Sequence, residues 1–217
     1  MTAKADRPGG VASAKIVSVK EYGCILVAER FNYNTLIYKP DLPHNFSLAN
    51  TMYTSLFLSK LGYMRACSTD TGLYALDWQQ KPFKKVKQEN DISRETINQI
   101  ARYLNNQLTD FTVPLDLSRY SPAFAKWLSV LSTVPFGRVI TYKEFALRWG
   151  NIKAVRAAGQ ACSRNPLPII LPCHRIVRSD GKFDNYSGGD RKNHRSTSNI
   201  ERKQWLIKLE SGVKTEV

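Results

Sequence analysis

The sequence predicts an α+β fold, with strands and one helix in the first half and short helices in the second. Three observations predict it. From Ser55 to Trp78, apolar residues come in short runs separated by turn residues. From Ser93 to Leu108, and again from Ser121 to Leu131, they recur at helical spacing. From Thr141 to Ser163, two short helical segments flank a glycine-containing turn, the outline of a helix-turn-helix. A chain of 217 residues has room for one large or two small domains. The expected organisation is a tail over 1–15, an N-terminal α/β domain over 16–117 and a C-terminal domain over 118–217.

Met1 to Lys15 is polar and rich in small residues, so a disordered tail is expected. Lys15 to Glu29 is rich in Val, Ile and Leu and reads as extended. No motif stands out in residues 1–50. Ser55–Lys60 and Tyr63–Ser68 flank Leu61-Gly62, which predicts a hairpin. Gly72 to Trp78 alternates as a third strand. Lys81 to Asp91 has four lysines beside Pro82 and reads as a solvated loop. Ser93 is expected to cap a helix whose buried face is Ile97, Ile100, Ala101, Leu104 and Leu108. Phe111 to Leu117, with Pro114 inside it, reads as a linker.

In the second half, Ser121-Pro122 starts a helix that buries Phe124, Trp127, Leu128 and Leu131. Thr141 and Glu144 have capping-box spacing for a helix over Tyr142–Trp149, and Gly150 stops it. Asn151 is expected to cap the next helix, from about Lys153 to Ser163. Ala154, Ala157, Ala158, Gly159 and Ala161 keep that helix thin, and Arg156 and Arg164 give it charge. A thin, basic helix suits close approach to a nucleic-acid backbone; tight packing on another helix is the competing explanation.

Charge narrows the partners. The net charge is +14 and the isoelectric point about 9.7, which favours a polyanion, nucleic acid above all. No apolar run is long enough to span a bilayer, and no signal peptide is recognisable. The four cysteines lack Cys-x-x-Cys spacing and there are only three histidines, so neither zinc nor a disulfide framework is expected. These features suit a reducing compartment, nucleus or cytoplasm.

The most informative stretch is Pro172-Cys173-His174-Arg175-Ile176, which follows Ile169-Ile170-Leu171 with prolines at 166, 168 and 172. A thiol attacks as its thiolate, and an adjacent imidazole is a standard acceptor for its proton. The apolar run reads as a strand presenting that sulfur. Beyond it, Asn185-Tyr186-Ser187-Gly188-Gly189 reads as a loop that comes close to something flat. A reactive sulfur downstream of a nucleic-acid-reading helix fits chemistry on an extruded base.

These residues resemble the O6-alkylguanine-DNA alkyltransferases, also called methylated-DNA–protein-cysteine methyltransferases. The similarity spans Asn165 to Gly189, Val134-Pro135-Phe136-Gly137, Thr141-Tyr142 and Arg156-Ala157-Ala158-Gly159, and more weakly Gly72–Trp78 and Asp110–Leu117. It implies a ribonuclease-H-like N-terminal domain and a winged-helix-like C-terminal one. It also implies suicidal transfer of an alkyl group from O6-alkylguanine, and O4-alkylthymine, to Cys173. In that scheme His174 is the base through a water, Glu210 orients it, and Asn165 braces the turn. Tyr142 donates to guanine N3, Arg156 fills the gap left by the flipped nucleotide, Tyr186 stacks on the base and Ser187 bonds O6. Ala154, Ala157, Gly159 and Arg164 line the DNA-facing helix. The implied partner is double-stranded DNA, bound in the minor groove by a monomer.

Two departures stand out. Asp190 to Asn199 separates the glycine pair from the last helix as a basic insertion. The N-terminal zinc of human-type members has no ligand set here, so no metal and no cofactor is expected. Lesion-recognition relatives without the acceptor cysteine, transcription regulators and cysteine hydrolases account less well for Cys173, Asn165, Tyr186 and Glu210 together.

Overall fold

The computed structural model describes residues 52–79, 88–183, 185–188 and 195–212. The expected tail, the extended segment over 15–29, lysines 81–87, Gly189 and residues 190–194 of the insertion lie outside the described residues.

The N-terminal domain is an antiparallel meander packed on one helix. Strand β1 (Tyr53–Ser59) pairs with β2 (Gly62–Ser68) in a register from Tyr53↔Ser68 to Ser59↔Gly62, and β2 pairs with β3 (Leu73–Gln79). The hairpin falls where Leu61-Gly62 predicted it. Phe111 to Leu117 is more than a linker. Leu115 bridges Leu73 in parallel, with Leu73 N–H donating to Pro114 O (2.8 Å) and Asp116 N–H to Leu73 O (2.9 Å). Pro114, which has no N–H, is tolerated because the segment lies at the sheet edge. A Cβ at Gly72 would sit 2.6 Å from Asp116 N, so this close approach needs glycine.

Helix α1 (Asp91–Leu104) starts at Asn90, not at Ser93. Asn90 accepts from Ser93 N–H while the Ser93 hydroxyl accepts from Asn90 N–H, a reciprocal cap with Ser93 at the third helical position. Its buried face also differs from the apolar stripe: Ser93, Thr96 and Gln99 are buried with Ile100, Tyr103 and Leu104, whereas Ile97, Ala101 and Leu108 are only partly buried. The polar members have partners. Ser55 Oγ donates to Ser93 Oγ (2.9 Å), and Gln99 exchanges two hydrogen bonds with Thr112 (2.7 and 2.9 Å).

In the C-terminal domain, α2 (Pro122–Ser132) buries Trp127, Leu128 and Leu131, with Phe124 partly buried. A short strand β4 (Ile140–Thr141) leads into α3 (Tyr142–Trp149), and Gly150 ends α3 in the left-handed conformation (φ 117°). Only half of the expected capping box forms. Glu144 N–H donates to Thr141 Oγ1 (3.1 Å), while the Glu144 carboxylate turns to Arg148 (2.6 Å). Helix α4 is Val155–Ser163, shorter than expected, because Asn151 caps a preceding turn through Lys153 N–H (2.9 Å). The last helix, α5 (Thr197–Glu210), begins at Ser196, so residues 197–199 are its first turn and not part of a loop.

The domains share one hydrophobic core. Leu76 N–H of β3 donates to Pro166 O (2.8 Å), and Arg202 Nε of α5 donates to Leu61 O (3.0 Å). Among the described residues, no helix is long and apolar enough to cross a membrane.

Candidate active site

Ile169-Ile170-Leu171 forms tight turns, not the expected strand. Leu171 N–H donates to Leu167 O (2.8 Å), and Ile169 has φ +76°, an uncommon conformation for a β-branched residue. Asn165 holds the turn from both ends, donating to Leu171 O (2.6 Å) and accepting from Leu167 N–H (3.0 Å). The chain then enters a 3-10 turn, Cys173–Arg175, and a short strand β5 (Ile176–Val177) parallel to β4.

That route sets Cys173 in the wall of a cavity of about 710 Å3, lined also by Tyr142, Arg156, Gly159, Cys162, Tyr186 and Ser187. Six predicted site residues therefore converge: Cys173, Tyr142, Arg156, Gly159, Tyr186 and Ser187. Of the helix residues expected to face DNA, Gly159 lines the cavity, and among the described residues nothing outside its own helical turn lies within 4 Å of a Cβ built on it. Ala154 and Ala157 pack partly against the core, and Arg164 is exposed at the end of α4. Asn165, His174 and Glu210 stand behind the cavity in the buried layer.

His174 is fully buried. Its Nε2 lies 2.8 Å from Glu210 Oε1. Glu210 also accepts from Arg175 Nε and Nη2 (2.8 Å each), Gly137 N–H (3.2 Å) and the Tyr103 hydroxyl (2.5 Å). Burial pushes the Glu210 carboxyl up, but the hydrogen bonds and charges of His174 and Arg175 outweigh it and hold the pKa below the ordinary carboxylate value. An ionised carboxylate only accepts, so His174 Nε2 carries the hydrogen and Nδ1 the lone pair. Nδ1 has no hydrogen-bond partner among the described residues. Burial also pushes the imidazole pKa down, against the pull of Glu210, so the ring is a neutral base near pH 7.

Burial pushes the Cys173 pKa up, with the Asn165 amide and the Lys203 charge opposing it. The sulfur is therefore not a standing thiolate, and its ionisation needs a base at the moment of reaction.

Residues 52–117 match the family described as the ribonuclease-like domain of 6-O-methylguanine DNA methyltransferase, and residues 122–212 match its DNA binding domain. A methylated-DNA–protein-cysteine methyltransferase of Methanosarcina barkeri is 32% identical over 165 residues, covering 73% of this chain and 97% of that protein. The chain belongs to the 6-O-methylguanine DNA methyltransferase family. A rat methyltransferase is 52% identical over 60 residues, 28% of this chain and 29% of the rat protein. The crystal structure of Mycobacterium tuberculosis O6-methylguanine methyltransferase superposes with a TM-score of 0.64 at 26% identity, covering 77% of this chain and 97% of that one. The Mycobacterium tuberculosis OGT in complex with DNA gives 0.61 at 29% identity, covering 73% and 92%.

Within this methyltransferase fold, four residues join the site to which the sequence analysis gave no role. Arg175 holds Glu210. Lys203 is buried and donates to Ile176 O (2.7 Å), with its ammonium 5.9 Å from the Tyr142 ring centroid. Trp78 lies against Gly188, and Tyr103 reaches Glu210 from the N-terminal domain. Arg175 precedes the apolar pair Ile176-Val177, and Lys203 shares helical spacing with Ile200, Leu206 and Ile207, the one signal that marks a buried charge with a partner. Trp78 and Tyr103 look like ordinary core aromatics, and nothing in the sequence distinguishes them.

Proposed function

We propose that this chain repairs DNA by direct reversal, moving the alkyl group of O6-alkylguanine, and of O4-alkylthymine, onto the sulfur of Cys173. The observation that carries this reading is the Cys173 sulfur in the wall of a cavity roomy enough for a base, beside a buried imidazole whose Nδ1 has no partner among the described residues.

The groups act in a balanced sequence. The Cys173 proton passes to His174 Nδ1, directly or across one water molecule. Glu210, fixed by Arg175 and Gly137, stabilises the imidazolium that forms. The thiolate attacks the alkyl carbon in line; the S–C bond forms as the C–O6 bond breaks, and its electron pair leaves with guanine. Tyr142 at N3 and Ser187 at O6 supply the hydrogen bonds that make guanine a better leaving group. Ser187 Oγ is buried without a partner among the described residues, which suits that role. Asn165 keeps the sulfur in place.

The displacement is redox-neutral, and side chains supply every group it uses, so the reading requires no metal or cofactor. The thioether product has no hydrolysable bond, so each molecule reacts once. The target base reaches the cavity by leaving the duplex. Arg156, exposed near the start of α4, fills the vacated stack from the minor groove. Ala154, Ala157 and Gly159 let α4 approach, and Arg164 meets phosphate. The protein acts as a monomer, in the nucleus of a eukaryotic cell or otherwise in the cytoplasm.

The test is to incubate the protein with duplex DNA carrying O6-methylguanine and weigh the peptide that contains Cys173. One methyl increment per molecule on that peptide is expected; an unmodified Cys173 peptide with the lesion intact would refute the reading.

A further inference from the structure

Every group assigned above to the chemistry lies in the C-terminal domain, yet one contact to its buried carboxylate comes from outside. Tyr103 is on α1 of the N-terminal domain, 107 residues from Glu210, and is fully buried. Its hydroxyl donates to Glu210 Oε1, the same oxygen that holds His174 Nε2, and lies 3.5 Å from that nitrogen. The ring is fixed by Phe111 (centroids 5.4 Å apart) and by Phe136, edge-on at 6.1 Å. We propose that Tyr103 is a positioning residue for the transfer centre, through which the N-terminal domain aims Glu210 and sets how strongly it holds the His174 ring.

The proposal rests on His174 acting as the base for Cys173. Oε1 shares its charge among three donors: Tyr103, His174 and Arg175. Each donor withdraws part of that charge, so the phenol weakens the pull of Glu210 on an imidazolium. Burial and the Glu210 charge both push the Tyr103 pKa well up, which keeps the phenol a donor at every working pH. The other charged or titratable groups facing the pair are Arg175 on the 3-10 turn, Lys203 on α5, and Cys173 and Tyr186 at the cavity wall. Arg175 and Lys203 disfavour the imidazolium, and a phenol that draws charge from Oε1 acts in the same direction. A phenol at this position thus keeps Nδ1 unprotonated toward lower pH and holds the carboxylate plane in register with the ring.

The experiment compares Tyr103→Phe with the parent protein in two readouts, the rate of transfer from free O6-benzylguanine against pH and the titration of His174 followed by NMR. Removing the hydroxyl returns charge to Oε1, so both the acidic limb of the rate and the His174 titration move up. The expected shift is about half a pH unit or more, the size that one lost hydrogen bond gives. Transfer from free base and from duplex DNA falls by the same factor, because Tyr103 touches no DNA. Phe111→Leu, which loosens the packing but keeps the hydroxyl, leaves the limb where it is. If Tyr103→Phe fails to fold, 3-fluorotyrosine at position 103 strengthens the donor and moves both readouts down. An unmoved His174 titration in whichever variant folds overturns the proposal, even where the rate falls. If the parent protein transfers no alkyl group at all, the repair reading fails, while the His174 titration still reports the Tyr103 linkage.

Discussion

Arg175 grips Glu210 through two hydrogen bonds of 2.8 Å, one to each carboxylate oxygen, with both side chains almost entirely buried. The fork also reaches Val134 O (2.5 Å), which ties the reactive turn to the end of α2. Such a pair is expensive to break from one side, because the survivor is left charged and dry. Glu210→Gln is therefore expected to destabilise the protein by about 3–5 kcal/mol, read from urea unfolding midpoints. A loss under 1 kcal/mol would mean that solvent reaches Arg175.

Acid is expected to weaken the fold in two stages. The pKa of His174 lies below its ordinary 6.5 in the folded chain. The unfolded chain therefore binds more protons, and stability falls as pH drops below 6.5. Glu210 also lies below its ordinary 4.5, so its contribution is complete above that value and is lost as pH falls further. Unfolding free energy measured from pH 7.5 to 3 should show both declines. The His174→Gln variant should lose the first and show a smaller second one, held by Arg175 alone.

Gly188 has φ +52°, and a Cβ there would lie 2.6 Å from Trp78 Cδ1. An indole packed in the core cannot move aside cheaply. Gly188→Ala is expected to cost about 1–3 kcal/mol and to slow transfer by displacing Tyr186 and Ser187. The paired variant Gly188→Ala/Trp78→Phe should recover part of both losses; no recovery would mean that backbone strain, not the indole, is the obstacle.

In the proposed scheme Arg156 serves access to the base and Cys173 the reaction. Arg156→Ala should slow repair of duplex DNA far more than reaction with free O6-benzylguanine. Equal loss on both would remove Arg156 from base extrusion. Cys173→Ala should abolish transfer while leaving the salt dependence of DNA binding unchanged, because no phosphate contact is lost.

Much of this was legible because local chemistry carried it. Leu61-Gly62 fixed the hairpin, Ser121-Pro122 and Gly150 marked helix ends, and Cys173-His174 pointed to the segment that lies at the cavity wall. Where two readings share one local signal, the sequence could not choose. Asn90 and Ser93 are both good caps, and only the reciprocal bond ranks them. An apolar run such as Ile169–Leu171 suits a strand or a buried turn equally, and Asn165 decides it by binding both ends. Pro114 suggested a break in the sheet, but an edge needs no N–H there. The direction of the Cys173 pKa depends on burial, which spacing does not encode. Tyr103 and Trp78 reach the site only through tertiary packing, across more than a hundred residues of chain.

The indole of Trp78 touches Gly188 and lies 4.8 Å from the Arg202 guanidinium, beside the loop that carries Tyr186 and Ser187 into the cavity. Its emission therefore senses whatever that loop does. With the other three tryptophans exchanged for phenylalanine, the fluorescence of this single residue gives a label-free clock for cavity occupation, readable in a stopped flow before any covalent product accumulates.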